Sequence, residues 1–347
     1  MSAQLEKQAA SQASLLSNVR RLFHTVPPIT SSITLAGRTV LVTGSNVGLG
    51  LECARHFLSL RPKRLIMAVR SLKKGEAAAQ APRAEFPDTE IDVWELDLSS
   101  FNSVQAFAAR CGKELDRLDV AVLNAGMGSA RFVRADEGRK REITLQVNYL
   151  STALLAVLLL PAMKPPTTSS SSRDPGHLTV VSSDAGLGVK LKIPKEGQGS
   201  ILDSLDDPQT FSGFPQYAIS KMLLTAFIAR LAETVDPDEV VVNITNPSAT
   251  KGTAFLTQVD SGLVKTLLGA WMSWFGRSSE EAARIYVHAA LVLGRESHGS
   301  YTEWDIRAWP VMMYGENGRK FTERLWKETL EELSFAGVDK LPENSKQ

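Results

Sequence analysis

The stretch Thr43-Gly44-Ser45-Asn46-Val47-Gly48-Leu49-Gly50 decides the fold. It follows the apolar run Thr39–Val42 and precedes a helical pattern, Leu51–Leu60, in which Cys53, Ala54, Phe57 and Leu58 recur at helical spacing. A strand that enters a helix through a tight turn aims unpaired helix N-terminal amides, and the positive end of the helix dipole, at an anion above it. Glycines let that backbone approach closely. Their spacing here is G-x-x-x-G-x-G, unlike the usual G-x-G-x-x-G, and a purely structural turn would also satisfy it.

The flanking sequence decides between the two. Short β-branched apolar runs recur at Arg64–Val69, Glu90–Leu96, Val120–Leu123, Leu178–Ser182 and Val240–Thr245, separated by helical periodicities. This alternation predicts one α/β domain of Rossmann type, a doubly wound parallel sheet of about seven strands with helices on both faces. Ligands in such sheets sit beyond the strand C-termini. Asp97, Asn124, Ser183 and Pro247 all fall just past predicted strand ends, so the polar residues collect on one edge.

Tyr217 and Lys221 are i and i+4 on a predicted helix and share one face. A phenol titrates near pH 10 and an adjacent ammonium favours its anion, so this pair is expected to lower the Tyr217 pKa for proton transfer. Ser183 follows the fifth strand, where a hydroxyl stabilises charge developing on a substrate oxygen. Strand alternation lets only one of Ser182 and Ser183 face that site.

Together these motifs resemble the short-chain dehydrogenase/reductase family over roughly residues 35–253. The ordered set is the glycine turn, Asp97-Leu98, Asn124-Ala125-Gly126, Asn148, Ser182-Ser183, Tyr217/Lys221 and Asn246-Pro247. Phrases such as MAVRSLKKGEAAA and ELDLSSFNSV resemble the retinol-dehydrogenase-like branch, and the C-terminal half is similar to fungal members encoded beside secondary-metabolite genes. The resemblance implies a carbonyl–alcohol oxidoreductase in which Tyr217 exchanges a proton with the substrate oxygen, Ser183 binds that oxygen, Lys221 holds the nicotinamide ribose and Asn148 holds a water of a proton relay. It also implies cofactor contacts from Gly44, Asn46, Val47, Gly48, Gly50, Asp97, Leu98, Asn124, Ala125, Gly126, Pro247 and Thr253.

The second strand ends Ala68-Val69-Arg70-Ser71, with a guanidinium where NAD-binding folds place a carboxylate. Arg70 is expected to bind a 2′-phosphate, which makes NADP(H) the cofactor and ketone reduction the favoured direction. Three departures from the family stand out. Residues 184–216 form a long segment, Pro247 precedes Ser248 where the family has glycine, and Thr253 is shifted one place beyond Gly252.

At 347 residues and 43% hydrophobic content the chain has ample material for one large core. A net charge of +1 and the lack of nucleic-acid-binding signatures exclude a nucleic-acid partner. Cys53 and Cys111 lie far apart, and the five histidines lack metal spacing, so a reduced cytoplasmic protein without a metal is expected. The apolar run Ala153–Met163 is too short to span a membrane and reads as a helix buried against the sheet or in a homodimer interface. Residues 1–33 read as an N-terminal extension, residues 34–335 as the domain and residues 336–347 as a flexible tail. Within the extension Leu15, Leu16, Val19, Leu22 and Phe23 are amphipathic beside Arg20 and Arg21, a pattern that fits packing on the body, fraying, or peripheral membrane contact. The Ser-rich residues 167–172 read as a surface loop. An apolar lid around residues 253–276, with Phe255, Leu256, Trp271 and Trp274, suits a bulky hydrophobic carbonyl or alcohol of polyketide, terpenoid, steroid or retinoid type. The alternatives are a non-catalytic NADP(H)-binding module and an NAD-dependent alcohol dehydrogenase.

Overall fold

Leu41, Ile66 and Ala68 pack into one hydrophobic core, whereas Val40, Val42, Leu65 and Met67 pack into a second. Alternation along two adjacent strands thus feeds cores on opposite faces of one sheet. The computed structural model describes residues 3–30, 32–135, 141–165, 174–251, 274 and 276–338.

Eight strands form that sheet: β1 Thr39–Thr43, β2 Arg64–Val69, β3 Glu90–Glu95, β4 Val120–Leu123, β5 Gly176–Val181, β6 Val240–Thr245, β7 Tyr301–Thr302 and β8 Ile306–Arg307. Their order is β3-β2-β1-β4-β5-β6-β7-β8, and all neighbours are parallel except β7 and β8. The sheet exceeds the expected seven strands because β7 and β8 hold two residues each, too few to show an alternation. Strand order reverses between β1 and β4, which opens a crevice at their C-terminal ends.

The helices are α1 Ala3–Gln12, α2 Leu15–Leu22, α3 Gly48–Ser59, α4 Leu72–Glu85, α5 Phe101–Glu114, α6 Ile143–Met163, α7 Ile201–Ser204, α8 Gly213–Ala232, α9 Ser279–Val287 and α10 Gly315–Glu332. Helices α5, α6, α8 and α10 cover one face, while α3 and α9 cover the other. Helix α6 starts ten residues before the apolar run read from sequence and contains a π turn at Gln146–Ser151. It is long and apolar enough to cross a membrane, yet 89% of its apolar window lies inside the protein. Its apolar surface therefore belongs to the core.

Residues of the N-terminal extension pack on the domain: Val26 is fully buried, Arg307 Nη2 donates to the Gln12 carbonyl at 3.0 Å, and the Ala308 amide donates to Gln12 Oε1 at 3.0 Å. The expected tail also begins inside packed structure, since a 3-10 turn spans Ser334–Ala336 and Val338 is buried. The long segment after Ser183 is anchored by α10. Glu328 accepts from Ser200 Oγ at 2.8 Å and the Ile201 amide at 2.7 Å, and Arg324 donates to the Pro194 carbonyl at 2.5 Å. The Ser-rich loop, Thr253 and nearly all of the lid expected at residues 253–276 lie outside the described residues; Trp274 is highly exposed.

Candidate active site

The turn after β1 is built so that only glycine closes it. Gly44 has φ +65°, and a Cβ on Gly50 would overlap the Gly44 carbonyl oxygen and lie 2.6 Å from Asn124 Nδ2. Asn124 Nδ2 donates to the Thr43 carbonyl at 2.9 Å, and Thr43 Oγ1 accepts from the Ala125 amide at 3.0 Å, so β4 props the turn from behind. Val47 at the start of α3 offers no side-chain cap, which leaves the amides of the first turn available to an anion. Helix α3 thus begins at Gly48, earlier than its apolar pattern indicated, because the turn itself supplies the first helical residues.

A cleft of about 640 Å³ runs from this turn to α8. Gly44, Asn46, Val47, Gly48, Gly50, Asn124, Ala125, Gly126, Ser183, Tyr217, Lys221 and Pro247 all line it. Ser182 and Ser183 both line the cleft, but their hydroxyls have different partners. Ser182 Oγ turns to α8, donating to the Lys221 carbonyl at 3.1 Å beside Thr225 Oγ1 at 2.8 Å, whereas the Ser183 hydroxyl is hydrogen-bonded to Tyr217.

The electrostatics of the dyad differ from expectation. Burial pushes the Tyr217 pKa up to about 12 against the lowering effect of the Ser183 hydrogen bond. The Lys221 ammonium donates to the Val181 carbonyl at 2.9 Å and lies over the Tyr217 ring, 6.0 Å from its centroid. Burial lowers Lys221 itself to about 8. Desolvation disfavours the charged form of each group, so Tyr217 is held as the neutral acid.

Four candidates lie off the cleft. Asn148 sits in the π turn of α6 and clamps Met127, donating to its carbonyl at 2.7 Å and accepting from its amide at 2.8 Å. Both ends of that amide are engaged, so the side chain positions the Gly126-Met127 wall. Asp97 Oδ1 accepts from the amide of Ser99 at 2.9 Å and its hydroxyl at 2.7 Å, which organises the entry to α5, and Leu98 is in the core. Arg70 is exposed just beyond β2, beside the turn.

The structure also reveals groups the sequence did not mark. Tyr286, in the apolar stripe of α9, lines the cleft with its hydroxyl buried and unpartnered, and Ser248 Oγ is in the same state. Two orphaned hydroxyls, a glycine-only turn and uncapped helix amides fit a dinucleotide laid along the cleft. Ser248 adopts φ +61°, the conformation in which its family counterpart is glycine. Ser248→Gly should relieve about 1–2 kcal/mol of left-handed strain against about 0.5–1 kcal/mol of added unfolded-chain entropy. A net gain of about 1 kcal/mol in denaturant midpoint experiments is expected; a loss would mean that the hydroxyl supports the fold.

Comparisons with known proteins agree with this architecture. The short chain dehydrogenase family model matches residues 38–194. Short chain dehydrogenase virL of Hypocrea virens is 42% identical over 351 residues, covering 100% of both chains. Short chain dehydrogenase/reductase mfmJ of Annulohypoxylon moriforme is 41% identical, covering 92% of this chain and 90% of its own. Among solved structures, L-sorbose reductase from Gluconobacter frateurii, complexed with NADPH and L-sorbose, shares the fold at a TM-score of 0.57 with 20% identity, covering 79% of this chain and 97% of its own. Since the end-to-end match with virL covers the N-terminal helices as well as the glycine turn and the Tyr217/Lys221 helix, the chain belongs to the short-chain dehydrogenase/reductase family of oxidoreductases.

Proposed function

We infer that this oxidoreductase uses NADP(H) to reduce a ketone on a bulky hydrophobic small molecule, in secondary-metabolite biosynthesis. The observation that carries this reading is the convergence of Ser183, Tyr217 and Lys221 on one largely apolar cleft beside the glycine turn. NADPH bound in other members of the fold, such as the L-sorbose reductase, supports the choice of cofactor.

Gly44, Asn46, Gly48 and the first amides of α3 would hold the pyrophosphate, with Lys221 toward the nicotinamide ribose and Ser248 and Tyr286 as further hydrogen-bonding groups. When bound, the cofactor supplies the hydride. Ser183 donates a hydrogen bond to the substrate carbonyl oxygen, and Tyr217, kept protonated by burial, delivers its proton to that oxygen as negative charge develops. The buried ammonium of Lys221 makes the phenolate left behind less costly. Protonated Tyr217 is the form that ketone reduction uses. A non-catalytic module would have no need of the three groups together.

The first test is a fluorescence titration with NADPH and NADH, followed by NADPH consumption over a panel of bulky ketones. Turnover of one panel member is expected; a preference for NADH would remove the Arg70 assignment. Arg70→Ala should weaken NADPH binding by about 10- to 100-fold, as the loss of a charge-assisted hydrogen bond predicts. NADH binding should change little, and equal losses would show that Arg70 does not read the phosphate.

The reductive rate should fall as pH rises through about 8, where Lys221 loses its proton. The accompanying stability effect has the opposite sign. An unfolded lysine keeps its proton until about pH 10.4, so between the two values the unfolded chain binds more protons. Lys221's contribution to stability therefore rises with pH across that window, as its burial penalty is relieved. A flat pH–rate profile between 7 and 9.5 would place the ammonium outside the mechanism.

A further inference from the structure

Helix α2 presents Leu15, Val19 and Leu22 to the catalytic cleft, at spacings i, i+4 and i+7 that define one helix face. Val19 and Leu22 are half-buried on the side of Tyr217 together with Asn18, Leu15 is exposed at the rim of the cleft, and Leu16 and Phe23 are exposed outside it. Helix α2 is also fastened at its C-terminal end. Arg21 pairs with Glu303 at 2.5 Å and with Asp305, stacks over the Trp304 ring at 4.1 Å, and offers its carbonyl to Arg277 Nη2 at 2.6 Å. Glu303 is almost wholly buried between Arg307 and Asn246, and Asn246 Oδ1 accepts from the Asp184 amide next to Ser183 at 3.1 Å. The helix is thus tied through a chain of buried polar contacts to the substrate-oxygen end of the site.

We propose that α2 is a wall of the substrate pocket, with Val19 and Leu22 selecting bulky apolar substrates by contact. The face carries no cation toward the cleft, so it does not suit the cofactor's phosphates. With Met127 and Phe214 it forms an apolar enclosure around the catalytic groups. This assignment rests on the hydrophobic-ketone reading above, and it locates recognition in the N-terminal helix, in addition to any contribution from residues 253–276.

The test uses the full-length protein and Nile red, a neutral polycyclic dye whose fluorescence reports an apolar site whether or not turnover occurs. Val19→Trp fills the cleft from the α2 side, and Leu16→Ser alters the outer face of the same helix. Val19→Trp should weaken dye binding at least tenfold with NADPH affinity within twofold of wild type, and Leu16→Ser should change neither. Arg21→Met, which releases the helix, should weaken dye binding without abolishing the fold seen by circular dichroism. With ketones, Val19→Trp should raise KM more for bulky than for small members of the panel. The proposal is overturned if wild type binds no dye, if Val19→Trp leaves binding unchanged, if both outer- and inner-face variants lose it equally, or if NADPH affinity falls in step with dye affinity. Dye binding that depends on Val19, in a wild-type protein that turns over no ketone, would keep the wall and remove the reductase reading instead.

Discussion

Tyr217→Phe is expected to lower NADPH-dependent ketone turnover by about 10²- to 10⁴-fold, the range general acid–base groups supply. The change removes one oxygen from a half-buried side chain that lines the cleft and is hydrogen-bonded to Ser183. The ring keeps its packing, so the variant should fold and bind NADPH with affinity close to that of wild type. Stopped-flow or steady-state NADPH oxidation measures the first effect, and fluorescence titration the second. The separation between them distinguishes a proton donor from a structural tyrosine, which would affect binding and turnover together. Turnover within tenfold of wild type would mean that another group protonates the alkoxide.

The largest stability effect is expected at Glu303. Its side chain is about 1% exposed and holds Arg307, itself about 2% exposed, together with Arg21 and the Asn246 amide. Glu303→Ala leaves the Arg307 guanidinium buried without its carboxylate, a loss that typically costs about 3–5 kcal/mol. By contrast, exposed pairs such as Lys320–Glu316 contribute about 0–1 kcal/mol, and their loss should go undetected. Glu303→Ala should also loosen α2, because Arg21 keeps only the half-exposed Asp305 as an acidic partner. Urea unfolding would show the lower midpoint, and hydrogen exchange would show faster exchange in residues 15–22. A midpoint within 1 kcal/mol of wild type would mean that water or a rearranged side chain replaces the carboxylate.

The sheet was legible because each strand leaves a local signature. Val120–Leu123 and Val240–Thr245 match their observed limits, since fully buried parallel strands read as short, mainly apolar runs rich in β-branched residues. Two-residue β7 and β8 have no such signature; their pairing depends on β6 being in place. The glycine turn, Ser183 and the Tyr217/Lys221 spacing are likewise local facts, visible in the sequence without the fold. Tyr286 escaped notice because, in an apolar helix, a residue that lines a cleft looks like a core residue. Asn148 matched its motif, yet only the fold shows its amide occupied by Met127.

The sequence by itself determined the alternating α/β architecture, the glycine turn, the Tyr217/Lys221 spacing and the amphipathic character of residues 15–23. These follow from periodicity, backbone freedom and side-chain chemistry within one or two turns of chain. Only the tertiary structure decided the rest: that burial raises the Tyr217 pKa, that the Ser182 hydroxyl turns to Lys221 and Thr225 while Ser183 is hydrogen-bonded to the phenol, and that the N-terminal helix α2 lines the cleft. Each depends on groups far apart in the chain, Arg21 with Glu303 above all, and on the loss of water around them. Desolvation and long-range pairing are properties of the packed molecule, and no local pattern encodes them.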